Sequence, residues 1–224
     1  MPGFFITFEG GEGSGKTTQL KALLAHLRAL HGDAVQTRDP GGTAIGNQVR
    51  ELVLNGDNIR MSSLAELFLY EASRAQLVHE VIRPALATGR IVLCDRFTDS
   101  TVAYQGYGRG LDLDLLERLN AVAADGLRPD LTFLLDLDPV VGLARATERL
   151  TQPRQRRDRL EDEVLEFHQR VRAGYRTLAA REPERVMSLD ATQGILELGA
   201  RIRRHVESRL GAKESGTAAE SRVG

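Results

Sequence analysis

The chain has 224 residues, of which 42% are hydrophobic and 27% are charged, and its formal net charge is −1. This length and composition fit one globular domain with a sizeable core. A net charge so near zero argues against a general electrostatic grip on nucleic acid or an anionic membrane, so any phosphate binding must come from local clusters of cations.

Short apolar runs alternate with segments of helical periodicity along the chain. Strands are predicted at Phe4–Phe8, Ala34–Thr37, Ile91–Cys94, Leu131–Leu137 and Val186–Leu189. Helices are predicted from Thr17 to Leu30, over Gln48–Leu54, within Leu64–Thr88, and over Leu115–Ala124, Val140–Leu150, Glu161–Arg181 and Ile195–Leu210. This alternation indicates an α/β three-layer sandwich with a five-stranded parallel sheet in residues 1–210, whose ligands bind beyond the carboxyl ends of the strands.

Two segments stand apart from this alternation. Residues 149–160 are rich in arginine and are interrupted by Pro153, and we interpret them as a mobile lid. Residues 211–224 are rich in glycine, serine, alanine and charged residues, and we expect a disordered tail.

A glycine-rich loop follows the first strand. Residues 10–17 read GGEGSGKT and match G-x-x-x-x-G-K-[ST], with an apolar strand before the match and an amphipathic helix after it. Such a loop directs backbone N–H groups at phosphate oxygens, while Lys16 reaches the β- and γ-phosphates and Thr17 binds Mg²⁺. The predicted ATP-binding residues are Gly10, Gly11, Glu12, Gly13, Ser14, Gly15, Lys16, Thr17 and Thr18.

The apolar run Ile91–Cys94 ends in Asp95, an acid placed to support the magnesium ion. The alternative is a strand-end aspartate that caps a turn. The chain contains no Asn-Lys-x-Asp motif for guanine and no Leu-Ser-Gly-Gly signature of transporter ATPases, which argues against both of those classes.

The order and spacing of several motifs resemble thymidylate kinases of the bacterial type, from about Phe4 to about Arg204. The motifs are EGGEGSGKTT at 9–18, RDPGGT at 38–43, Asp95-Arg96, Ser100-Thr101-x-x-Tyr104-Gln105-Gly106 and Arg128-Pro129-Asp130. The family usually has glutamate where this chain has Asp39. The resemblance implies a P-loop fold and transfer of the γ-phosphoryl group of ATP to dTMP.

The resemblance also implies roles for individual residues. Arg96 and Arg50 bind the acceptor phosphate, an aromatic ring at Tyr70 stacks on thymine, and Arg74 hydrogen-bonds a carbonyl of the base. Tyr70 and Arg74 are four residues apart and share a helix face. The predicted dTMP-binding residues are Glu9, Glu12, Asp39, Arg50, Tyr70, Arg74, Arg96, Ser100, Thr101, Tyr104 and Gln105. The alternatives are an internal ion pair for Arg96, a solvated Arg50, and a half-buried tyrosine beside a surface arginine.

Within this family, one subtype carries an arginine in the phosphate loop, where this chain has Gly13. The other subtype supplies cations to the transition state from a lid, and this chain resembles it. The lid arginines are Arg149, Arg154, Arg156, Arg157 and Arg159. We expect catalytic roles for Lys16, Arg96, Arg154 and Arg159, although a solvated basic loop is the alternative for any one lid arginine.

Together with this resemblance, the motifs predict an ATP-dependent nucleoside monophosphate kinase with Mg²⁺ held by Thr17 and Asp95. The resemblance implies that the acceptor is dTMP and that Glu9 lies near the metal. The family pattern implies a homodimer. The only cysteine, Cys94, lies in a buried strand and fits a reducing compartment, so we expect a cytoplasmic protein with no nucleic-acid or membrane partner. The alternatives are a kinase for another nucleoside monophosphate or a deoxynucleoside, and a nucleotide-binding switch that acts on a protein partner.

Overall fold

Five parallel strands form the centre of the molecule, as the sequence predicts. The structure is a computed structural model that describes residues 3–58, 60–149 and 159–220. The strands are β1 (Phe4–Glu9), β2 (Ala34–Arg38), β3 (Ile91–Asp95), β4 (Leu131–Asp136) and β5 (Val186–Asp190). They lie in the order β2-β3-β1-β4-β5.

Helices cover both faces of this sheet because successive side chains of a strand point to opposite sides. Phe4, Ile6 and Phe8 of β1 pack in one core cluster, and Phe5 packs in another. The helices are α1 (Lys16–His31), α2 (Ala44–Leu54), α3 (Ser63–Leu77), α4 (Arg83–Ala87), α5 (Thr98–Thr101), α6 (Leu113–Ala123), α7 (Pro139–Arg149), α8 (Leu165–Arg181) and α9 (Ile195–Glu220).

Two π-helical segments, Val78–Ile82 and Val102–Gly108, continue α3 and α5. The first joins α3 to α4 within the region where the sequence predicts one or two helices. The second was missed by the sequence analysis, which placed no helix between β3 and α6. Its residues from Val102 to Gly106 are all buried, so the segment lacks the one-sided apolar periodicity of a surface helix.

Three helix ends differ from the predicted ones by four residues or more. α2 begins four residues earlier than predicted because the Thr43 side chain accepts a hydrogen bond from the backbone N–H of Gly46 and caps the helix. α8 begins at Leu165 and not at Glu161. α9 continues to Glu220, so residues 211–220 are helical where we expected disorder, and the remaining tail residues lie outside the described ones.

The register of the sheet brings polar strand ends together. Phe8 of β1 pairs with Asp95 of β3, and Glu9 pairs with Leu134 of β4. Glu9 and Asp95 therefore lie at the same edge of the sheet, where the loop after β1 begins. Among the described helices, none has both the length and the apolar composition needed to cross a bilayer.

Candidate active site

The phosphate loop connects β1 to α1 and depends on glycine at three positions. Gly10, Gly13 and Gly15 have φ angles of 138°, 66° and 88°, a region that side chains with a Cβ rarely adopt. Lys16 folds back over this loop, and its Nζ donates to the carbonyl oxygens of Gly10 (3.0 Å) and Gly11 (2.8 Å). Burial, with a contribution from the charge of Arg96, lowers the pKa of Lys16 to about 8, so Lys16 remains mostly cationic at pH 7.

Two predicted magnesium ligands lie side by side. The Thr17 hydroxyl donates a hydrogen bond of 3.0 Å to the Asp95 carboxylate at an exposed position. Mg²⁺ in nucleotide sites typically takes one or two protein oxygens and completes its shell with phosphates and water, so this pair fits the ion. In the described residues, no cluster of three or more His, Cys, Asp or Glu side chains forms a separate metal site.

Glu9, the third residue predicted near the metal, uses both carboxylate oxygens within the protein. Oε1 accepts from the backbone N–H of Phe97 (2.7 Å), and Oε2 accepts from the hydroxyls of Ser100 (2.6 Å) and Tyr175 (2.8 Å). Burial and the charge of Asp99 raise the pKa of Glu9 to about 7. Glu9 therefore connects Phe97, Ser100 and Tyr175 by hydrogen bonds. Its role near a metal stays a prediction.

A cavity of about 1180 Å³ opens beside the phosphate loop. It is lined by the predicted ATP-binding residues from Glu12 to Thr18 and by Asp95, Arg96 and Arg50. Arg145, Ala191 and Gln193, which come after the carboxyl ends of β4 and β5 in the chain, also line it. Gly10 and Gly11 of the same loop do not line this cavity.

A second cavity, of about 80 Å³, adjoins the first. Every predicted dTMP-binding residue except Glu9 lines it, together with Pro40, Leu54 and Leu160. Three residues, Glu12, Arg50 and Arg96, line both cavities. The two cavities therefore share one boundary that carries two guanidinium groups.

Arg96 lies on that boundary in an unusual backbone conformation, with a φ angle of 70°. Its guanidinium forms an ion pair of 2.7 Å with Glu12 and lies over the Tyr104 ring at 4.9 Å. The ion pair is the alternative that the sequence left open, but it lies within the cavity wall and does not turn Arg96 away from it. Although burial raises the pKa of Glu12, the charges of Arg96 and Lys16 lower it to about 2, so Glu12 is ionised.

Arg74 is almost completely buried, which excludes the surface position considered above. Its Nε donates to Asp39 (2.6 Å), one terminal nitrogen donates to Glu71 and Asn120, and the other donates to Thr101 (2.7 Å) and, more weakly, to the Phe97 carbonyl. All five N–H donors of the guanidinium are therefore engaged. A bond from Arg74 to a base carbonyl, as the resemblance implies, would have to replace one of these contacts.

The predicted lid arginines fall largely outside the described residues, which include neither Arg154 nor Arg156 nor Arg157. Arg159 is described and is buried. It forms an ion pair with Glu66, and its Nε donates to the Val53 carbonyl of α2. This arrangement fixes Arg159 to α2 and α3, so a contact with a transferring phosphoryl group would require the ion pair to break.

Three residues that hold the site together were not predicted from the sequence. Tyr175 of α8 bonds to Glu9, Ser100 and Arg96, and Asn120 of α6 bonds to Arg74. Glu66 of α3 bonds to Gln105. A buried polar residue on the apolar face of α8, where Phe167, Val171 and Tyr175 recur at helical spacing, is the one sequence signal that could have indicated Tyr175.

Comparisons with known proteins give one consistent result. A family model described as "Thymidylate kinase" matches residues 8–202. The thymidylate kinase of Solidesulfovibrio magneticus is 59% identical over 84% of this chain and 90% of its own length, and that of a Synechococcus strain is 55% identical over 92% and 95%. The crystal structure of thymidylate kinase from Ehrlichia chaffeensis superposes with a TM-score of 0.75 at 34% identity, covering 92% of this chain and 99% of that one.

Proposed function

The chain belongs to the thymidylate kinase family, and we propose how its residues carry out the reaction in which the γ-phosphoryl group of ATP passes to dTMP, giving dTDP and ADP. The enzyme is an ATP-dependent nucleoside monophosphate kinase. Kinases for other acceptors and a nucleotide-binding switch are not favoured, since relatives named thymidylate kinase match nearly the whole chain.

The observation that carries this proposal is the boundary shared by the two cavities, with Arg50 and Arg96 facing both. ATP occupies the larger cavity, with its phosphates against the loop amides and Lys16. dTMP occupies the smaller cavity, with its phosphate at Arg96. Phosphoryl transfer depends on positioning and charge neutralisation more than on covalent chemistry, and this boundary supplies both.

The transfer is direct. An oxygen of the dTMP phosphate forms a bond to the γ-phosphorus as the bond from that phosphorus to the bridging oxygen of ADP breaks, with no phosphoenzyme. Lys16, Arg96 and Arg50 neutralise charge on the two phosphates that approach each other. Thr17 and Asp95 are the residues that would hold Mg²⁺, and the ion would supply a fixed positive charge beside the transferring phosphoryl group.

In the acceptor cavity, Tyr70 supports the base by stacking and Thr101 hydrogen-bonds its edge. Tyr104 lies against the sugar, where it disfavours a 2′-hydroxyl group, and Glu12 approaches the 3′-hydroxyl group. Asp39 stands where the family usually has glutamate, and its carboxylate reaches Arg74 at 2.6 Å. We propose that this shorter side chain serves to fix Arg74.

The arginine-rich segment 149–160 acts as a lid over ATP in this proposal, and Arg154 is the residue that supplies a cation to the transition state. Arg159 serves the same purpose only if it exchanges Glu66 for the nucleotide. Closure of such a segment would exclude water from the transferring group.

We also propose that the enzyme is a homodimer in the cytoplasm. α2 exposes Ile45 and Leu52, and α3 exposes Leu64 and Phe68, each at 45–52% of its accessible surface. These pairs are seven and four residues apart, so each helix presents an apolar stripe. Since the two helices pack against each other, their stripes support an interface with a second copy of the chain.

The proposed reaction is tested by incubating the protein with ATP, Mg²⁺ and one acceptor at a time, and by separating the nucleotides by chromatography. We expect dTDP to form from dTMP with a kcat/KM above that for dUMP, dCMP or dAMP. Slow hydrolysis of ATP with no phosphorylated acceptor would instead support the switch, and a preference for another acceptor would reassign the substrate.

A further inference from the structure

Glu66 of α3 is completely buried and accepts hydrogen bonds from three side chains. Oε1 accepts from Gln105 Nε2 at 2.7 Å and from Arg109 Nε at 3.3 Å. Oε2 accepts from Arg109 at 3.1 Å and also from Arg159. Burial alone would raise the pKa of Glu66, but these hydrogen bonds lower it below its ordinary value, so Glu66 is a carboxylate.

This carboxylate determines which way the Gln105 amide points. An ionised carboxylate only accepts hydrogen bonds, so Gln105 must present its NH₂ group to Glu66, and the amide oxygen must be directed elsewhere. Gln105 lines the smaller cavity. Within the described part of the chain, its Oε1 accepts no hydrogen bond, and it is not among the enclosed atoms without a partner. The amide oxygen is therefore an acceptor available to a ligand in that cavity.

The same carboxylate holds a second wall of the cavity. Arg159, paired with Glu66, donates through its backbone N–H to the Leu54 carbonyl at 3.1 Å. The next residue, Leu160, is buried and lines the cavity together with Leu54 and Tyr70. Glu66 thus connects a polar wall, Gln105, to an apolar wall, Leu160, although it does not line the cavity itself.

We propose that Glu66 is a positioning residue for base selection, which orients the Gln105 amide oxygen toward the base edge and fixes Leu160 against the base. This inference rests on the proposed function, with dTMP in the smaller cavity. Thymine has an N–H donor at position 3, whereas cytosine has an unprotonated nitrogen acceptor there. A fixed oxygen accepts from thymine and repels cytosine, so the orientation set by Glu66 favours dTMP over dCMP.

The test replaces Glu66 by its uncharged isostere in the full-length enzyme. In Glu66→Gln the new amide can donate or accept, so it no longer dictates the orientation of Gln105, and it holds Arg159 less strongly. We expect the ratio of kcat/KM for dTMP to kcat/KM for dCMP to fall by about tenfold or more, mainly through a higher KM for dTMP. The KM for ATP should change less than twofold.

The matched control is Glu163→Gln. Glu163 pairs with the same Arg109 but contacts neither Gln105 nor Arg159 in the described residues, and it is partly exposed. A partly exposed ion pair contributes little, so this variant should keep the wild-type ratio. Glu66→Asp, which retains the charge but withdraws it by one methylene, serves as the second variant and should lower the ratio to a smaller extent.

An unchanged base ratio in folded Glu66→Gln or Glu66→Asp, with kcat/KM for both acceptors lowered equally, would overturn the inference and leave Glu66 a purely structural residue. If Glu66→Gln does not fold, the decision rests on Glu66→Asp. Failure of the proposed function has a different signature, because the wild-type enzyme itself would then not phosphorylate dTMP.

Discussion

Among the residues that the structure describes, the Lys16 ammonium group donates hydrogen bonds only to atoms of its own loop. Lys16→Met retains most of the side-chain volume and removes the charge. We expect kcat to fall by at least about 10²-fold, because the β- and γ-phosphates lose a fixed cation in the transition state. Steady-state kinetics measure the loss, and circular dichroism checks the fold. Near-normal turnover would contradict the assignment of the phosphate loop.

Glu9 gives the fold an unusual pH dependence. Because its pKa in the folded state is about 7, above the ordinary 4.5, the folded chain binds this proton more tightly than the unfolded chain. The contribution of Glu9 to the free energy of unfolding is therefore most favourable below pH 4.5. It is lost as the pH rises through 7, and the total decrease is about 3 kcal/mol for a pKa shift of this size.

Glu9→Gln keeps the side chain uncharged at every pH. We expect the unfolding free energy of wild type, relative to this variant, to decrease between pH 5 and pH 8 in chemical denaturation. Glu117→Gln, on the exposed side of α6, is the control and should follow wild type. Parallel curves for wild type and Glu9→Gln would show that Glu9 titrates near its ordinary pKa.

At the scale of single residues, the sequence predicted the placement of those residues whose position follows from local spacing, while their roles stay predictions. Lys16 and Thr17 are placed by the phosphate-loop pattern and Asp95 by its strand end. Glu71 is only three residues from Arg74, but the other partners of Arg74 and Glu66 could not be predicted, because these contacts join residues 23 to 93 positions apart. Sequence periodicity reports which face of an element is apolar, but it does not report which buried polar side chains meet across elements.

Between elements, the phosphate loop is held against α7 by two glycines. A Cβ on Gly142 would lie 2.3 Å from the carbonyl oxygen of Glu12, and a Cβ on Gly13 would lie 2.2 Å from the carbonyl oxygen of Gly142. α7 and the loop are thus in backbone contact, and the position of one determines the position of the other.

Gly142→Ala tests this contact. Alanine normally stabilises a helix interior relative to glycine by about 1 kcal/mol. Here we expect the reverse, a loss of about 1–3 kcal/mol from the close contact, and a several-fold higher KM for ATP as the loop is displaced. Thermal unfolding and kinetics measure both. Gly211→Ala, with no neighbouring atom within 4 Å of the added Cβ, is the control. A more stable variant with an unchanged KM would show that α7 does not constrain the loop.

The elements whose apolar residues recur with a clear periodicity were predicted, whereas those whose bounds depend on tertiary contacts were not. The five strands follow from apolar runs. The start of α8 was predicted too early because Arg159 is bonded to Leu54 of α2 and Glu66 of α3, and the residues that follow it form a turn. Helix propensity alone does not register such a constraint.

For the whole molecule, the exposed stripes on α2 and α3 lead to a prediction about assembly. Phe68→Glu places a charge on the α3 stripe, and we expect it to convert a dimer of the chain into a monomer in light scattering coupled to size-exclusion chromatography. Leu30→Glu, at an equally exposed site on α1, should leave the mass unchanged. A dimer that persists in Phe68→Glu would place the interface elsewhere.

The overall architecture was predictable because it depends on few facts. Strands alternating with helices require crossover connections, which make the sheet parallel and bring the carboxyl ends of the strands to one edge. The two cavities at that edge then follow from the loops after β1, β2 and β3. The sizes of the cavities and their shared boundary depend on the conformations of long side chains such as those of Arg96 and Arg50. Those conformations are set by tertiary packing and cannot be predicted from the sequence pattern.

The hydrogen bonds of Arg74 distinguish it from the other arginines of this arginine-rich chain. Only three of its thirty cationic side chains are lysines, a bias that by itself explains an arginine at almost any position. Position 74 is different, because the acceptors there are arranged around the planar guanidinium group of an arginine. A lysine has its three N–H donors on one nitrogen atom and would leave two buried carboxylates, those of Asp39 and Glu71, without well-placed donors. Recoding surface arginines as lysines should therefore be tolerated, whereas the same exchange at this position would not be conservative.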